Sequence, residues 1–312
     1  MSQPKTLYIL LADFQQWRRS LSMNSKTLQK NQYGLQYYIK WLVNTYHVET
    51  ADRIRKTHLY AWQEHVAGMT NQKGMPLKPC SINNHIESVK MFLSYLVSLG
   101  YINKSYMKVL QYVKVPQHLP GNVIEHAQMK KVLACVPTGN TLGYRNRAMM
   151  EMLYSTGIRI SELLGLNVED LDMKNTLASV TGKGDKQRLV PIGRTALRHL
   201  ETYVVAVRPY LLKDRSEKAV FLSKHGKRLG YRGFLAFVHK CGELAGVEGV
   251  LTPHTFRRSC TTELIRGNAN MYHVKELLGH ESLDTLKHYA KLTITDLKAT
   301  HKKCHPREQD QA

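Results

Sequence analysis

One stretch divides this chain and limits what it can become. Lys114-Val-Pro-Gln-His-Leu-Pro-Gly-Asn122 combines two prolines, a glycine and polar residues, so neither a helix nor a strand runs through it easily. It reads as a linker over residues 114–122, with a domain boundary near residue 118. Before it the pattern is helical. Leu28, Leu35, Tyr38, Ile39 and Leu42 recur at helical spacing, and Ser25 is a suitable N-cap. A second helix is predicted over 52–69, and the run Thr70-Asn-Gln-Lys-Gly-Met-Pro76 ends it. A third begins near Ser81. Ile82, Ile86, Val89, Leu93, Leu96 and Val97 form its apolar face, and Gly100 stops it. Asn83, Asn84, Glu87 and Lys90 fall on the opposite face. Residues 25–113 therefore read as a small helical bundle. Residues 1–24 read as an N-terminal extension, in which Leu7, Ile9, Leu10, Leu11 and Phe14 leave docking open.

After the linker the pattern changes. Helices are predicted at about 126–136 and 143–155. A β-like region follows: Leu166 to Asp172, Thr176-Leu-Ala-Ser-Val180, the turn Gly182-Lys-Gly-Asp185, and Arg188-Leu-Val-Pro-Ile192. Further helices are predicted at about 194–207, 230–245, 255–267, 270–278 and 283–290. The fold class is therefore mainly α with a small antiparallel β-sheet. A helical N-terminal bundle precedes a mixed α+β domain over 123–291. Residues 292–312 form a charged tail with apolar Ile294 and Leu297 near its start.

Charge narrows the partner. The formal net charge is +21 and the pI is about 9.7, which calls for a polyanion. The excess is spread along the chain. Residues 1–118 carry 15 basic against 5 acidic side chains, and the remainder 30 against 19. Two basic domains suit a clamp around a duplex better than a lone basic tail does. The five cysteines (Cys80, Cys135, Cys241, Cys260, Cys304) are widely spaced and form no CxxC, so they read as reduced thiols rather than disulfides or a zinc ribbon. The start, Met-Ser-Gln-Pro-Lys-Thr, does not read as a secretory signal, and no apolar run reaches 18 residues. The expected location is cytoplasmic, associated with the nucleoid when bound to DNA, with no membrane contact.

Several motifs then point to one chemistry. A phosphodiester under attack gathers negative charge on its non-bridging oxygens, and guanidinium groups bind those oxygens without losing their charge. Arg159 and Arg257 fit this role, each near the start of a predicted helix. Arg159 lies in an apolar segment and needs a partner, for which Glu162 is one turn away. Lys183 sits at a turn tip, where it could protonate a leaving oxygen; alone it would read as a solvated turn lysine, and Lys186 is a rival. His254, on one helical face with Arg257, and His280, after Gly279, can bind phosphate or carry a proton. Tyr289 is the candidate nucleophile. With 17 tyrosines and 15 histidines in the chain, composition selects none of them; position does, since Tyr289 follows His280 by nine residues. Tyr272 and His288 are weaker rivals.

These residues resemble the tyrosine recombinase (phage integrase) family, nearest to its Xer-like and mobile-element members. Ser155-Thr-Gly-Ile-Arg159-Ile-Ser-Glu162-Leu163 resembles the first-arginine box, and Gly182-Lys183-Gly184 the catalytic β-hairpin. His254-Thr-Phe-Arg257 resembles the His-x-x-Arg box. Leu278-Gly-His280 and Tyr289 resemble the last box and the nucleophile. The likeness covers roughly residues 25–300. It implies a SAM-like core-binding domain followed by a tyrosine recombinase catalytic domain. It implies attack by Tyr289 to give a 3′-phosphotyrosyl link, and strand exchange through a Holliday junction in a tetramer. Arg159, Arg257 and His280 would bind the phosphate, Lys183 would be the general acid and His254 the proton acceptor. The energy of the broken bond is kept in the phosphotyrosine, so no cofactor and no metal are expected. The implied partners are a double-stranded recombination site and three further copies on two DNA sites, from a free monomer or weak dimer, with an accessory protein left open. Lys90, Lys186, Arg188 and Arg258 are the candidate DNA contacts. The family often has another histidine where Arg258 stands, and a small residue where Glu281 stands. In the family, a segment after the tyrosine often docks on a neighbouring protomer, a role open to Ile294–Leu297.

Three other readings compete. A type IB topoisomerase would use the same chemistry without partner exchange. A DNA-binding protein of this fold could lack catalysis, although all six site positions are filled. A metalloprotein could use His254, Cys260, His280 and His288, but no short-spaced ligand pair of a familiar zinc type is present.

Overall fold

The structure is a computed structural model and describes residues 5–21, 25–116 and 123–279. The chain divides into two compact units, Met1–Gln117 and His118–Ala312.

The first unit is built from helices α1 (Leu7–Ser20), α2 (Ser25–Tyr46), α3 (Lys56–Ala67) and α4 (Pro79–Ser98), with short 3-10 turns at Ala51–Arg53 and Lys104–Lys108. Helix α1 corrects the expectation of an N-terminal extension. Leu7, Leu10, Leu11 and Phe14 repeat at i, i+3, i+4 and i+7, and all four are buried in the unit's core. Thr6 caps the helix by accepting a hydrogen bond from the Ile9 amide, and the Leu7 amide donates to the Glu49 carbonyl at 2.7 Å. Aromatic rings join a mainly aliphatic core: Phe14 meets Phe92 edge-on at 5.6 Å, and Tyr38 meets Trp62 at 5.0 Å.

The polar face of α4 has an internal task. Asn83 donates to the Val113 carbonyl at 2.9 Å and accepts from the Val113 amide at 2.7 Å. Tyr112 donates to Glu87. The Lys90 ammonium donates to the Leu110 carbonyl at 3.2 Å and lies 4.5 Å from the centre of the Tyr112 ring. Residues 83, 87 and 90 form one helical stripe that fastens the segment 110–113 as it leaves the unit. Lys90, expected from the sequence to contact DNA, is half-buried and spends its ammonium on these partners within the unit.

The second unit contains α5 (His126–Ala134), α6 (Thr141–Thr156) and α7 (Ile160–Gly165), then strands β1 (Leu171–Asp172), β2 (Leu177–Thr181) and β3 (Gln187–Pro191). Helix α8 (Arg194–Thr202) passes through a π-helical stretch (Tyr203–Val207) into α9 (Arg208–Leu211). Helices α10 (Tyr231–Leu244), α11 (Pro253–Arg266) and α12 (Met271–Leu278) complete the described part. The sheet is antiparallel in the order β1-β2-β3, with Ala178 opposite Val190 and Val180 opposite Arg188. The fold class read from the sequence, mainly helical with a small antiparallel sheet, is the one observed. The helix predicted at 283–290 lies outside the described residues.

Helix α6 is the centre of this unit. Met149, Met150, Met152 and Leu153 are fully buried, and the helix packs against α8 and α11. Its start is capped by Asn140, which accepts from the Gly143 amide at 2.8 Å. Its end is capped by Gly157 at φ 62°, a left-handed conformation that costs glycine nothing. A Cβ there would lie 2.7 Å from Leu278 and 3.2 Å from the Cys260 sulfur. Glycine thus allows α6 to end directly against α11 and α12, which brings the next residues to the site.

Candidate active site

Two residues past Gly157, Arg159 caps α7. Its amide donates to Glu162 Oε2 at 2.9 Å, and its guanidinium to Glu162 Oε1 at 2.8 Å. Glu162 is almost fully buried and holds a second arginine as well. Arg188, on β3, reaches both carboxylate oxygens, at 3.1 and 2.8 Å. Burial would push the Glu162 carboxyl up, but the hydrogen bonds from Arg188 and Arg159 outweigh it and hold the group below its ordinary value. The carboxylate is therefore ionised and carries two guanidinium groups.

These groups meet the end of α12. A helix leaves its last carbonyls without helical partners and carries partial negative charge there. Here three consecutive carbonyls each accept from a different arginine. Arg188 Nε donates to Leu277 at 3.0 Å, Arg257 to Leu278 at 2.7 Å and Arg159 to Gly279 at 3.1 Å. Arg257, buried on α11, also donates to the Gly157 carbonyl at 2.8 Å. Gly279 takes φ 63°, and a Cβ on it would lie 2.9 Å from the Arg188 guanidinium. Only a residue without a side chain leaves that space.

The turn between β2 and β3 lies beside the same pair. Gly182 donates to the Lys186 carbonyl at 2.8 Å, and Gly184 and Asp185 both take positive φ. A Cβ on Gly182 would stand 3.4 Å from Glu162 Oε1 and 3.5 Å from Arg188. The backbone of Lys183 is described at this turn; its side chain is not. Lys186 is exposed.

His254 is the second residue of α11, one turn before Arg257, and is exposed. Partial burial by its surroundings, then the charges of Arg258, Arg257 and Arg159, lower its pKa, so the ring is neutral at neutral pH and can accept a proton. Arg258 is partly buried on the same helix. His280, Tyr289 and the apolar residues 294–297 lie outside the described residues.

The structure thus gathers Arg159, Glu162 and Arg257, with His254 one turn away and the Lys183 turn against the Glu162–Arg188 pair. One assignment changes. Arg188 was expected to contact DNA, yet its guanidinium is held by Glu162 and the Leu277 carbonyl, and its side chain is only 16% exposed. The strand's alternation contains the signal that was passed over: Arg188 shares its parity with buried Val190 and Ile192, so it points inward. Cys260 is no candidate ligand. Burial pushes its thiol up to about 12, and its sulfur faces the Ser155 carbonyl. Among the described residues, no group of three His, Cys, Asp or Glu side chains could hold a metal ion. None of the described helices is long and apolar enough to cross a membrane.

Comparison with known proteins shows the family. Residues 122–295 match the model of the phage integrase family. A tyrosine recombinase XerD of Listeria monocytogenes is 32% identical over 290 residues, which is 93% of this chain and 95% of that protein. The chain belongs to the phage integrase family. A tyrosine recombinase XerD of Lacticaseibacillus casei is 36% identical over 233 residues, covering 73% of the chain and 78% of its own length. As a Xer-like member of the family, the protein is a tyrosine-type site-specific recombinase. Solved structures carry the same fold. The Tn1549 transposon integrase in complex with transposon right end DNA gives a TM-score of 0.74 at 20% identity, covering 96% of this chain and 99% of that one. A lambda integrase tetramer bound to a Holliday junction gives 0.68 at 15% identity, covering 93% and 78%.

Proposed function

We propose that this recombinase cuts DNA with Tyr289. The phenolic oxygen attacks the scissile phosphorus while the bond to the 5′ oxygen breaks, leaving a 3′-phosphotyrosyl link. The phenol's proton passes to neutral His254, and the 5′ oxygen takes a proton from the Lys183 ammonium. Arg159, Arg257 and His280 bind the non-bridging oxygens as charge gathers on them. A 5′-hydroxyl from the partner strand then reverses the step, releasing tyrosine and joining the exchanged strands. The broken bond's energy stays in the link, so neither cofactor nor metal is invoked.

The observation that carries this reading is the gathering of Arg159 and Arg257 at the end of α12. His280 is the next residue, and Tyr289 follows nine positions later. The lambda integrase tetramer on a Holliday junction supports two further elements for this chain. These are a tetramer on two DNA sites, assembled from monomers or weak dimers, and exchange through such a junction. The first unit is assigned as the core-binding domain, residues 123–291 as the catalytic domain, and Lys186 and Arg258 as DNA contacts. Residues 292–312 are assigned to docking on a neighbouring protomer through Ile294–Leu297. Deleting them should abolish pairing of two sites but spare binding to one, and unchanged recombination would refute that. The place of action is the cytoplasm, on the nucleoid, and an accessory protein is compatible with this scheme.

The decisive test begins by selecting bound duplexes from a random DNA pool, which supplies a site. A nicked suicide version of that site should trap a covalent protein–DNA adduct on a denaturing gel. Tyr289→Phe should bind the same DNA and form none. An adduct that survives this substitution would overturn the assignment of the nucleophile.

A further inference from the structure

We infer that Arg188 is a positioning residue for cleavage, which sets the Lys183 turn against the phosphate-binding arginines. The inference rests on the reading above, in which Lys183 protonates the leaving 5′ oxygen. Three observations support it. Among the described residues, Arg188 is the one whose side chain reaches both Glu162 oxygens and the end of α12. It lies on β3 directly after the turn, opposite Val180 on β2, so both strands of the hairpin are tied to that anchor. A Cβ on Gly182, the residue before Lys183, would stand 3.4 Å from Glu162 and 3.5 Å from Arg188, so the turn passes within one side-chain atom of that pair. A two-stranded ribbon ending in a glycine-rich turn has little rigidity of its own. Here its base is held by a bidentate ion pair buried under the turn.

The same geometry explains why a lysine would not serve. One ammonium cannot span two carboxylate oxygens and a carbonyl on a separate helix, whereas a planar guanidinium can. Arg159 shares the carboxylate, so a shift of Glu162 would move a phosphate-binding group and the acid-bearing turn together. Arg188 itself does not touch the substrate in this scheme.

The test separates positioning from folding. Arg188→Lys and Arg188→Gln are compared with wild type on the suicide substrate and on a version with sulfur in place of the bridging 5′ oxygen. A thiolate leaves without protonation, so this substrate does not need a well-placed acid. On the oxygen substrate both variants should form adduct roughly 10- to 100-fold more slowly, the scale of a misplaced catalytic group. DNA affinity should be unchanged, and the sulfur substrate should restore most of the lost rate. Glu162→Gln combined with Arg188→Gln should be no slower than the worse single variant, as expected of two residues acting as a unit. Wild-type rates in Arg188→Lys would overturn the inference, as would a loss that sulfur does not relieve. A drop in melting temperature that takes binding and both rates down together would mark a folding residue and also overturn it. Wild-type protein that forms no adduct on either substrate would instead sink the underlying reading.

Discussion

The two units bury charge in opposite ways. Among the described residues of the first unit, Arg18 is the one fully buried charged side chain, and the core is aliphatic and aromatic. The second unit buries Arg145, Glu151, Glu162, Arg208 and Arg257. Its arginines fasten backbone. Arg145 donates to the Leu222 carbonyl at 2.7 Å, and Arg208 to the carbonyls of Ala219 at 2.9 Å and Glu217 at 2.7 Å. A guanidinium has five donors in a fixed plane and can satisfy several carbonyls where no ladder or helix does. A bundle of four helices can close on apolar contact alone. A unit that arranges short elements and irregular segments around a site uses buried cations to hold them. At the end of α12 the same device serves both structure and chemistry.

This contrast can be broken at either end. The largest expected effect is in the first unit. Phe14→Ala should remove about 3–5 kcal/mol, the usual cost of an emptied aromatic site, and leave the unit marginal. Urea unfolding followed by tryptophan fluorescence reports this unit alone, since Trp17, Trp41 and Trp62 all lie in it. A loss below about 1 kcal/mol, well short of that range, would return residues 7–20 to the status of an extension. In the second unit the corresponding probe is Arg257→Lys. It keeps a positive charge but cannot hold the Gly157 and Leu278 carbonyls together with a phosphate oxygen. Adduct formation should fall about 100- to 1000-fold, as when one preorganised donor is removed from a transition state. The first unit's unfolding curve should not move. Cleavage near the wild-type rate would end the dual role given to Arg257.

The contrast also accounts for what could be read from the sequence. Apolar spacing specifies helices whose only partner is a core, and α4, α6, α10 and α11 fall close to their predicted positions for that reason. Helix α1 had the same spacing in Leu7, Leu10, Leu11 and Phe14, but its place near the chain start outweighed the pattern. The arginine boxes were legible because their residue types and order are distinctive. The Glu162 partnership with Arg159 followed from spacing within one turn. Arg188 to Glu162 spans 26 residues and two elements, and no local rule links an arginine in a strand to a carboxylate in a helix. Lys90 shows the same limit. A polar stripe on a helix looks alike whether it faces water or a returning segment of chain.

Acid sharpens the comparison from a third side. Glu162 is held below its ordinary value of 4.5, so the folded state binds fewer protons than the unfolded one just below that value. Its contribution is therefore fully present above about pH 4.5 and is lost as pH falls through the lower folded value. The first unit has no buried carboxylate among its described residues. As pH is lowered past 4.5, far-ultraviolet circular dichroism, which sees both units, should change before tryptophan fluorescence does. Glu162→Gln should flatten the acid dependence of the earlier change. Coincident transitions in the wild-type protein would show that buried charge does not distinguish the units in this way.

The smallest effect tests the two lysines whose roles differ most. Lys90 lies against Tyr112 and the Leu110 carbonyl, whereas Lys186 is exposed beside the site. A phosphate contact releases counterions, so losing one makes the dependence of log affinity on log salt shallower by about 1. Lys186→Ala should show that change and leave stability alone. Lys90→Met should leave the salt dependence unchanged and lower the first unit's stability by about 0.5–1.5 kcal/mol, the worth of one hydrogen bond. If Lys90→Met instead flattened the salt dependence while urea unfolding stayed the same, its ammonium would belong to the DNA surface. The polar stripe of α4 would then hold residues 110–113 through Asn83 and Glu87 without it.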